Sequence, residues 1–266
     1  MIHKCITAAF VIFVMVLIPH VSANDSGALW LVNRNNRLSS DYKPAGITEY
    51  KGIQLHGTAH KAFVQMLKIM EQDGIYGLRL QSAYRSYNYQ QAIFNQRVKE
   101  LQAQGYSKPE AEMKAVKSIQ LPGASEHQLG LALDVSVDGK LTQAFGETPA
   151  GKWLEAHSHK YGFVIRYPYS KTEITQIVYE PWHLRYVGTP HATIMKNLDL
   201  TLEEYWAYMR QIQMYIFWGE DGEYYLISYS DAPPIVLPTE MLCVSSIGAN
   251  KNEYIITTRK TYPNAW

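Results

Sequence analysis

His127, Asp134 and His183 supply two imidazoles and a carboxylate, a donor set that a catalytic zinc takes while keeping one position open for water. The first two lie in Ser125-Glu126-His127-Gln128-Leu129-Gly130-Leu131-Ala132-Leu133-Asp134. Fully extended, that segment would hold them roughly 20 Å apart. Both reach one ion only if the chain turns at 128–130, where Gly130 permits it. Beyond the turn, a period of two puts Gly130, Ala132 and Asp134 on one face and Leu131, Leu133 and Val135 on the other. Small neighbours clear space beside the acid. The third donor sits in Glu180-Pro181-Trp182-His183, where the proline is expected to break regular structure and place Glu180 with His183. Glu180 has the chemistry of a general base. Arg85, planar and always charged, suits a substrate carboxylate or a developing oxyanion. Taken singly, each residue has an ordinary structural reading as a hydrogen-bonded side chain, a surface acid or an ion-pair partner; their combination favours a site. His56 and His60 lack an accompanying acid, and His157 and His159, two apart on a helix, point to different sides.

The elements that must position these groups are legible from periodicity and caps. Ala62, Phe63, Met66, Leu67, Ile69 and Met70 predict a helix over 58–73, with Gly74 beyond its end. A strand over 78–83 delivers Arg85, and a helix over 88–104 turns Ile93, Phe94, Val98 and Leu101 inward. Ser107-Lys108-Pro109-Glu110 is a capping box that opens a helix to about 118. Asp138-Gly139 signals a tight hairpin, followed by a helix around 151–159 and a strand over 161–168. Residues 174–187 predict a strand interrupted at Glu180-Pro181, and Thr201-Leu202-Glu203-Glu204 caps a helix to about 211. Residues 24–57 read as irregular, with a short strand at 29–32. From Met214 the chain changes to a hairpin over 215–229 and a strand over 253–258. The sum is an α+β fold: a mainly antiparallel central sheet flanked by helices, with a small C-terminal β appendage. The boundaries are a leader at 1–23, a main domain at 24–211 and the appendage at 212–266.

Length and a hydrophobic content of 47% allow a full core. Lys4, the apolar run from Cys5 to Ile18 and the ending Val21-Ser22-Ala23 have the form of a secretory leader cleaved after Ala23, with an uncleaved anchor as the alternative. Removing it leaves 24 basic and 24 acidic residues, so the mature chain is neutral and has no electrostatic claim on nucleic acid. No stable membrane partner is expected after cleavage. Cys243 is then the remaining cysteine, expected to be buried, and no internal disulfide can form.

The segment 125–134 resembles the Ser-x-His-x-x-Gly-x-Ala-x-Asp motif of VanY-type D-alanyl-D-alanine carboxypeptidases, and 180–183 resembles their Glu-x-x-His motif. These enzymes share a fold with lysostaphin-type peptidases and the hedgehog signalling domain. The resemblance covers roughly 55–210. It implies one Zn2+ per chain on His127, Asp134 and His183, with Glu180 as catalytic base. Residues 82–90 look like the family's substrate-side segment, which implies that Arg85, Gln90 and Ser125 face the peptide. The implied activity is hydrolysis of terminal D-alanine from peptidoglycan stem peptides in the cell envelope, a cleavage that destroys the target of vancomycin. The alternatives are an L,D-carboxypeptidase on tetrapeptide stems and a non-catalytic zinc-stabilised module, since this fold is not confined to hydrolysis. Glu180 separates the last, because a structural ion has no use for a base.

Overall fold

The computed structural model describes residues 27–219, 224–232, 241–246, 248 and 252–260. The expected leader at 1–23 and the Cys243 side chain lie outside the described residues. The fold is α+β. A hairpin, β1 (Ile47–Tyr50) and β2 (Ile53–His56), leads into α1 (Gly57–Gln72), β3 (Arg79–Ser82), α2 (Tyr87–Ala103) and α3 (Lys108–Ala115). Then come β4 (Ala132–Ser136), α4 (Pro149–His157), β5 (Phe163–Tyr167), the single turn α5 (Thr172–Thr175) and β6 (Glu180–Tyr186). The helices α6 (His191–Asn197) and α7 (Leu202–Ile212) precede β7 (Met214–Trp218), β8 (Tyr224–Ser230), β9 (Met241–Ser246) and β10 (Tyr254–Lys260).

The central sheet has the order β3-β4-β6-β5, antiparallel throughout. Leu131, Leu133, Val135 and Leu184 join the main core, where α1 adds Ala59, Phe63, Met66 and Met70. Those helix positions recur at three- and four-residue intervals, which is why one stripe is buried. Short local devices end and start the helices. Ser86 caps α2 by accepting from Tyr89 N, and both the Ser107–Glu110 and Thr201–Glu204 capping boxes form. A second four-stranded sheet, β7-β8-β10-β9, packs Ile227 and Ile255 against Trp206 and Met209 of α7 and against Leu29 and Leu31.

Several expectations are corrected. Residues 29–32 form no strand: the carbonyls of Gly27, Ala28 and Trp30 accept from Arg185 Nη2, and that of Leu29 accepts from Trp206 Nε1 at 2.8 Å. Side chains take the place of a neighbouring strand. Residues 47–56, read as irregular, form a hairpin because Lys51 and Gly52 both adopt positive φ (49° and 83°), the backbone a two-residue turn needs. The turn at Asp138-Gly139 forms, with Gly139 N donating to Ser136 Oγ at 2.8 Å, but no paired strand follows it. Residues 172–175 are helical, and α6 and β9 were not anticipated.

Pro181 does not break β6; it lies inside the strand. Between the pairs Ile165↔Leu184 and Tyr167↔Glu180 the register shifts, β6 spanning four residues where β5 spans two. Proline is tolerated at such an irregularity because no ladder donor is required of it.

Candidate active site

Three local structures converge on one point. Register brings the first two ligand candidates together, for Asp134 of β4 is the cross-strand partner of His183 of β6. His127 comes from a 3-10 turn, Glu126–Leu129, that ends at Gly130 with φ 71°. The left-handed backbone favours glycine there, and a Cβ would also crowd the backbone N of His56 at 3.1 Å. The turn expected at 128–130 is therefore the device that folds His127 back onto Asp134. The irregularity in β6 re-aims the fourth group: Glu180 Oε2 lies 3.8 Å from His183 Nδ1 rather than across the sheet.

Donor atoms of His127, Asp134 and His183 lie within 4.8 Å of one another, and all three residues are buried. Among the described residues no other such trio of His, Cys, Asp or Glu occurs. His127 Nδ1 lies 2.6 Å from the Ala83 carbonyl, which leaves Nε2, 3.2 Å from Asp134 Oδ2, for an ion. His183 presents Nδ1, 3.1 Å from Asp134 Oδ1. The two rings meet edge to face at 5.0 Å. Two imidazole nitrogens and a carboxylate at the wall of a cavity, one imidazole oriented from behind by the Ala83 carbonyl, fit a catalytic zinc site.

The electrostatics set the four groups apart. Burial, followed by the charge of Arg85, pushes His127 down to about 4, which keeps it neutral and free to ligate. Burial would raise Asp134, but His127 and Arg85 hold it well below the usual carboxylate range. For His183, burial is outweighed by Asp134 and Glu126, which push it up to about 9; a cation beside Nδ1 would oppose that proton. Burial, against the pull of His183 and with the push of Asp134, raises Glu180 to about 8, within reach of a base working near neutrality.

All seven residues singled out in the sequence line one cavity of about 390 Å3: the trio, Glu180, Arg85, Gln90 and Ser125. Ile93, Ile177, Val178 and Trp182 form an apolar part of its wall. Arg85 does not simply face the cavity. Its Nη2 pairs with Asp134 and its Nε donates to Ser82 Oγ at 2.9 Å, so the guanidinium is anchored beside the ligand set. Gln90 Nε2 donates to the Gln120 carbonyl at 2.8 Å, while its buried Oε1 has no hydrogen-bond partner among the described residues. His56 and His60 are structural: His56 Nδ1 accepts from Thr58 N at the start of α1, and His60 Nδ1 lies 3.1 Å from Thr48 Oγ1.

Sequence reasoning missed a second group behind the first. Glu126, Arg166 and Arg185 are buried, with Arg166 Nε and Arg185 Nη1 each 2.8 Å from Glu126 Oε1. Glu203 grips Arg166 with both oxygens, at 2.7 and 2.8 Å. Burial would raise Glu126, but Arg166 and Arg185 hold it ionised. The sequence did carry a signal: a lone arginine inside each apolar run, Phe163–Tyr167 and Leu184–Val187.

Comparison with known proteins places this geometry in a family. The model of the VanY family, D-alanyl-D-alanine carboxypeptidase, matches residues 52–189. A D-alanyl-D-alanine carboxypeptidase of Enterococcus faecalis is 36% identical over 178 residues, which span 67% of this chain and 65% of that protein. A glutamate-to-alanine mutant of the vancomycin-resistance D,D-pentapeptidase VanY from a VanB-type resistance cassette, in complex with Zn(II), is 37% identical with a TM-score of 0.61, over 67% of this chain and 98% of the other. The LD-carboxypeptidase LdcB is 38% identical with a TM-score of 0.61, over 68% and 86%. With its matched segment containing every residue of the ligand set, whose donors are those of a single zinc site, the chain belongs to the VanY family of D-alanyl-D-alanine carboxypeptidases.

Proposed function

We propose that this chain is an exported zinc carboxypeptidase that hydrolyses the terminal D-alanine from peptidoglycan stem peptides ending in D-alanyl-D-alanine. The observation that carries this reading is the buried trio His127, Asp134, His183 with the Glu180 carboxylate 3.8 Å from His183 in one cavity. His127, Asp134 and His183 would hold the zinc, and its Lewis acidity would be available to a carbonyl and to water there. Glu180 takes the proton from the attacking water and returns it to the leaving amine as the C–N bond breaks. Arg85, anchored by Ser82 and Asp134, offers its remaining donors to the terminal carboxylate or to the oxyanion. Gln90 and Ser125, both lining the cavity, hydrogen-bond the peptide.

Residues 24–211 form the catalytic domain in this reading, with the leader at 1–23 removed and 212–266 an appendage to it. Among the described residues no helix is long and apolar enough to cross a membrane. Release of D-alanine from a pentapeptide stem would destroy the target that vancomycin binds. A second reading, L,D-cleavage of tetrapeptide stems, is favoured by the 38% identity to LdcB. Mass spectrometry of synthetic penta- and tetrapeptide stems incubated with the zinc-loaded protein tests both. Release of D-alanine from the pentapeptide is expected. Cleavage of the tetrapeptide alone would establish the L,D reading, and cleavage of neither would make the chain a binding module.

A further inference from the structure

The two histidines of the ligand set are held from behind in different ways. His127 Nδ1 has a backbone carbonyl, Ala83 O, at 2.6 Å. His183, whose Nδ1 faces Asp134, has its Nε2 directed at Oε2 of Glu126, 3.9 Å away. Both of these atoms are buried, and neither has a hydrogen-bond partner among the described residues. A neutral imidazole that uses Nδ1 as a ligand must carry its proton on Nε2. A buried N–H without an acceptor is costly, and Glu126 Oε2 is the acceptor within reach, about 1 Å beyond a charge-assisted hydrogen bond. The other oxygen of Glu126 accepts from Arg166 Nε and is ion-paired with Arg185 Nη1 at 2.8 Å, which keeps the carboxylate charged and restrains its rotation.

We propose that Glu126 is a positioning residue for the metal centre: it accepts the Nε2 proton of His183, and thereby sets the tautomer and ring orientation that presents Nδ1 to the zinc. The inference rests on the zinc assignment above. Arg166 and Arg185 then serve as the frame that holds Glu126. Arg185 extends this frame to the carbonyls of Gly27, Ala28 and Trp30, while Glu203, at the start of α7, pairs with Arg166 on its far side and touches neither Glu126 nor His183. A purely structural ion-pair cluster would stabilise the same surroundings without acting on the metal, and the two roles make different forecasts.

The test compares Glu126→Gln with Glu203→Gln, by competition of the whole protein with a chromophoric chelator for zinc. Both substitutions remove a carboxylate from Arg166, but only the first touches His183. Positioning predicts zinc binding weakened about 10- to 100-fold in Glu126→Gln, the usual effect of losing a partner of a metal-bound histidine, and unchanged in Glu203→Gln. Equal zinc affinity in wild type and Glu126→Gln would overturn the proposal, and so would equal weakening in both variants. Should Glu126→Gln fail to fold, 15N NMR of the zinc-loaded wild type decides instead. A His183 Nε2–H protected from exchange and shifted downfield is expected, and an Nε2 without a proton would overturn the inference. Failure of the wild type to bind zinc would instead remove the zinc assignment on which the inference stands.

Discussion

The protein contains two four-stranded antiparallel sheets that differ in what they bury. The central sheet sets Asp134 and His183 side by side and backs them with Glu126, Arg166 and Arg185, all removed from solvent. The C-terminal sheet buries Ile227 and Ile255 on one face, and its buried polar contact is neutral: His191 lies 2.8 Å from Tyr205 Oη and 3.1 Å from Thr257 Oγ1. Its edge strand β7 exposes Met214, Ile216 and Trp218. Strand count and pairing are shared, so architecture does not make the site. Buried, paired charge does, and such charge is expensive to desolvate unless every member has a partner.

Substitutions should therefore separate the sheets by what they remove. The largest effect is expected at the ligand set: His127→Ala should lose its zinc by elemental analysis and with it D-alanine release, and full zinc retention would remove His127 from the site. Chelation of the wild type should also lower Tm, because zinc bound to the folded form adds to stability. Next, Arg85→Lys keeps the charge but loses the planar pair of donors, and should cost about a hundred- to a thousandfold in turnover with the fold intact. Kinetics near those of wild type would leave Arg85 as a partner of Asp134 alone.

In the other sheet the currency is stability. Ile227→Ala should cost about 2–5 kcal/mol in denaturant unfolding, from lost burial and a cavity, while kcat of the folded protein stays unchanged. A fall in kcat would tie the appendage to catalysis. The smallest effect is a pH dependence. Burial holds His191 down at about 4, so it stays neutral in the folded chain while the unfolded chain protonates below about 6.5. Its contribution is present above pH 6.5 and is lost as pH falls toward 4, at up to about 1.4 kcal/mol per unit. His191→Gln should flatten that part of the acid decline, and an equal slope in the variant would place the titration elsewhere.

The ligand set was legible where its signals are local: a glycine that must turn and small residues beside an acid. The helices were legible for the same reason, through caps at Ser107 and Thr201. Partnerships formed across long separations were not. The segment 29–32 has the composition of a strand, yet its carbonyls are taken by Arg185 and Trp206, more than 150 residues away along the chain. Glu126 carries no signal of its own beside His127, because its partners Arg166 and Arg185 come from two other strands. Pro181 was read as a break because the register shift that accommodates it depends on β5.

The central claim, a zinc site with Glu180 as its base and not its ligand, is tested most directly by one paired measurement on Glu180→Gln: zinc content and D-alanine release from an acyl-D-alanyl-D-alanine substrate. The glutamine keeps size and much of the hydrogen bonding but cannot accept the proton. The expected result is zinc equal to wild type with hydrolysis slower by about a hundred- to ten-thousandfold. Loss of zinc would make Glu180 a ligand, and unimpaired hydrolysis would hand the proton to another group; either result contradicts the account.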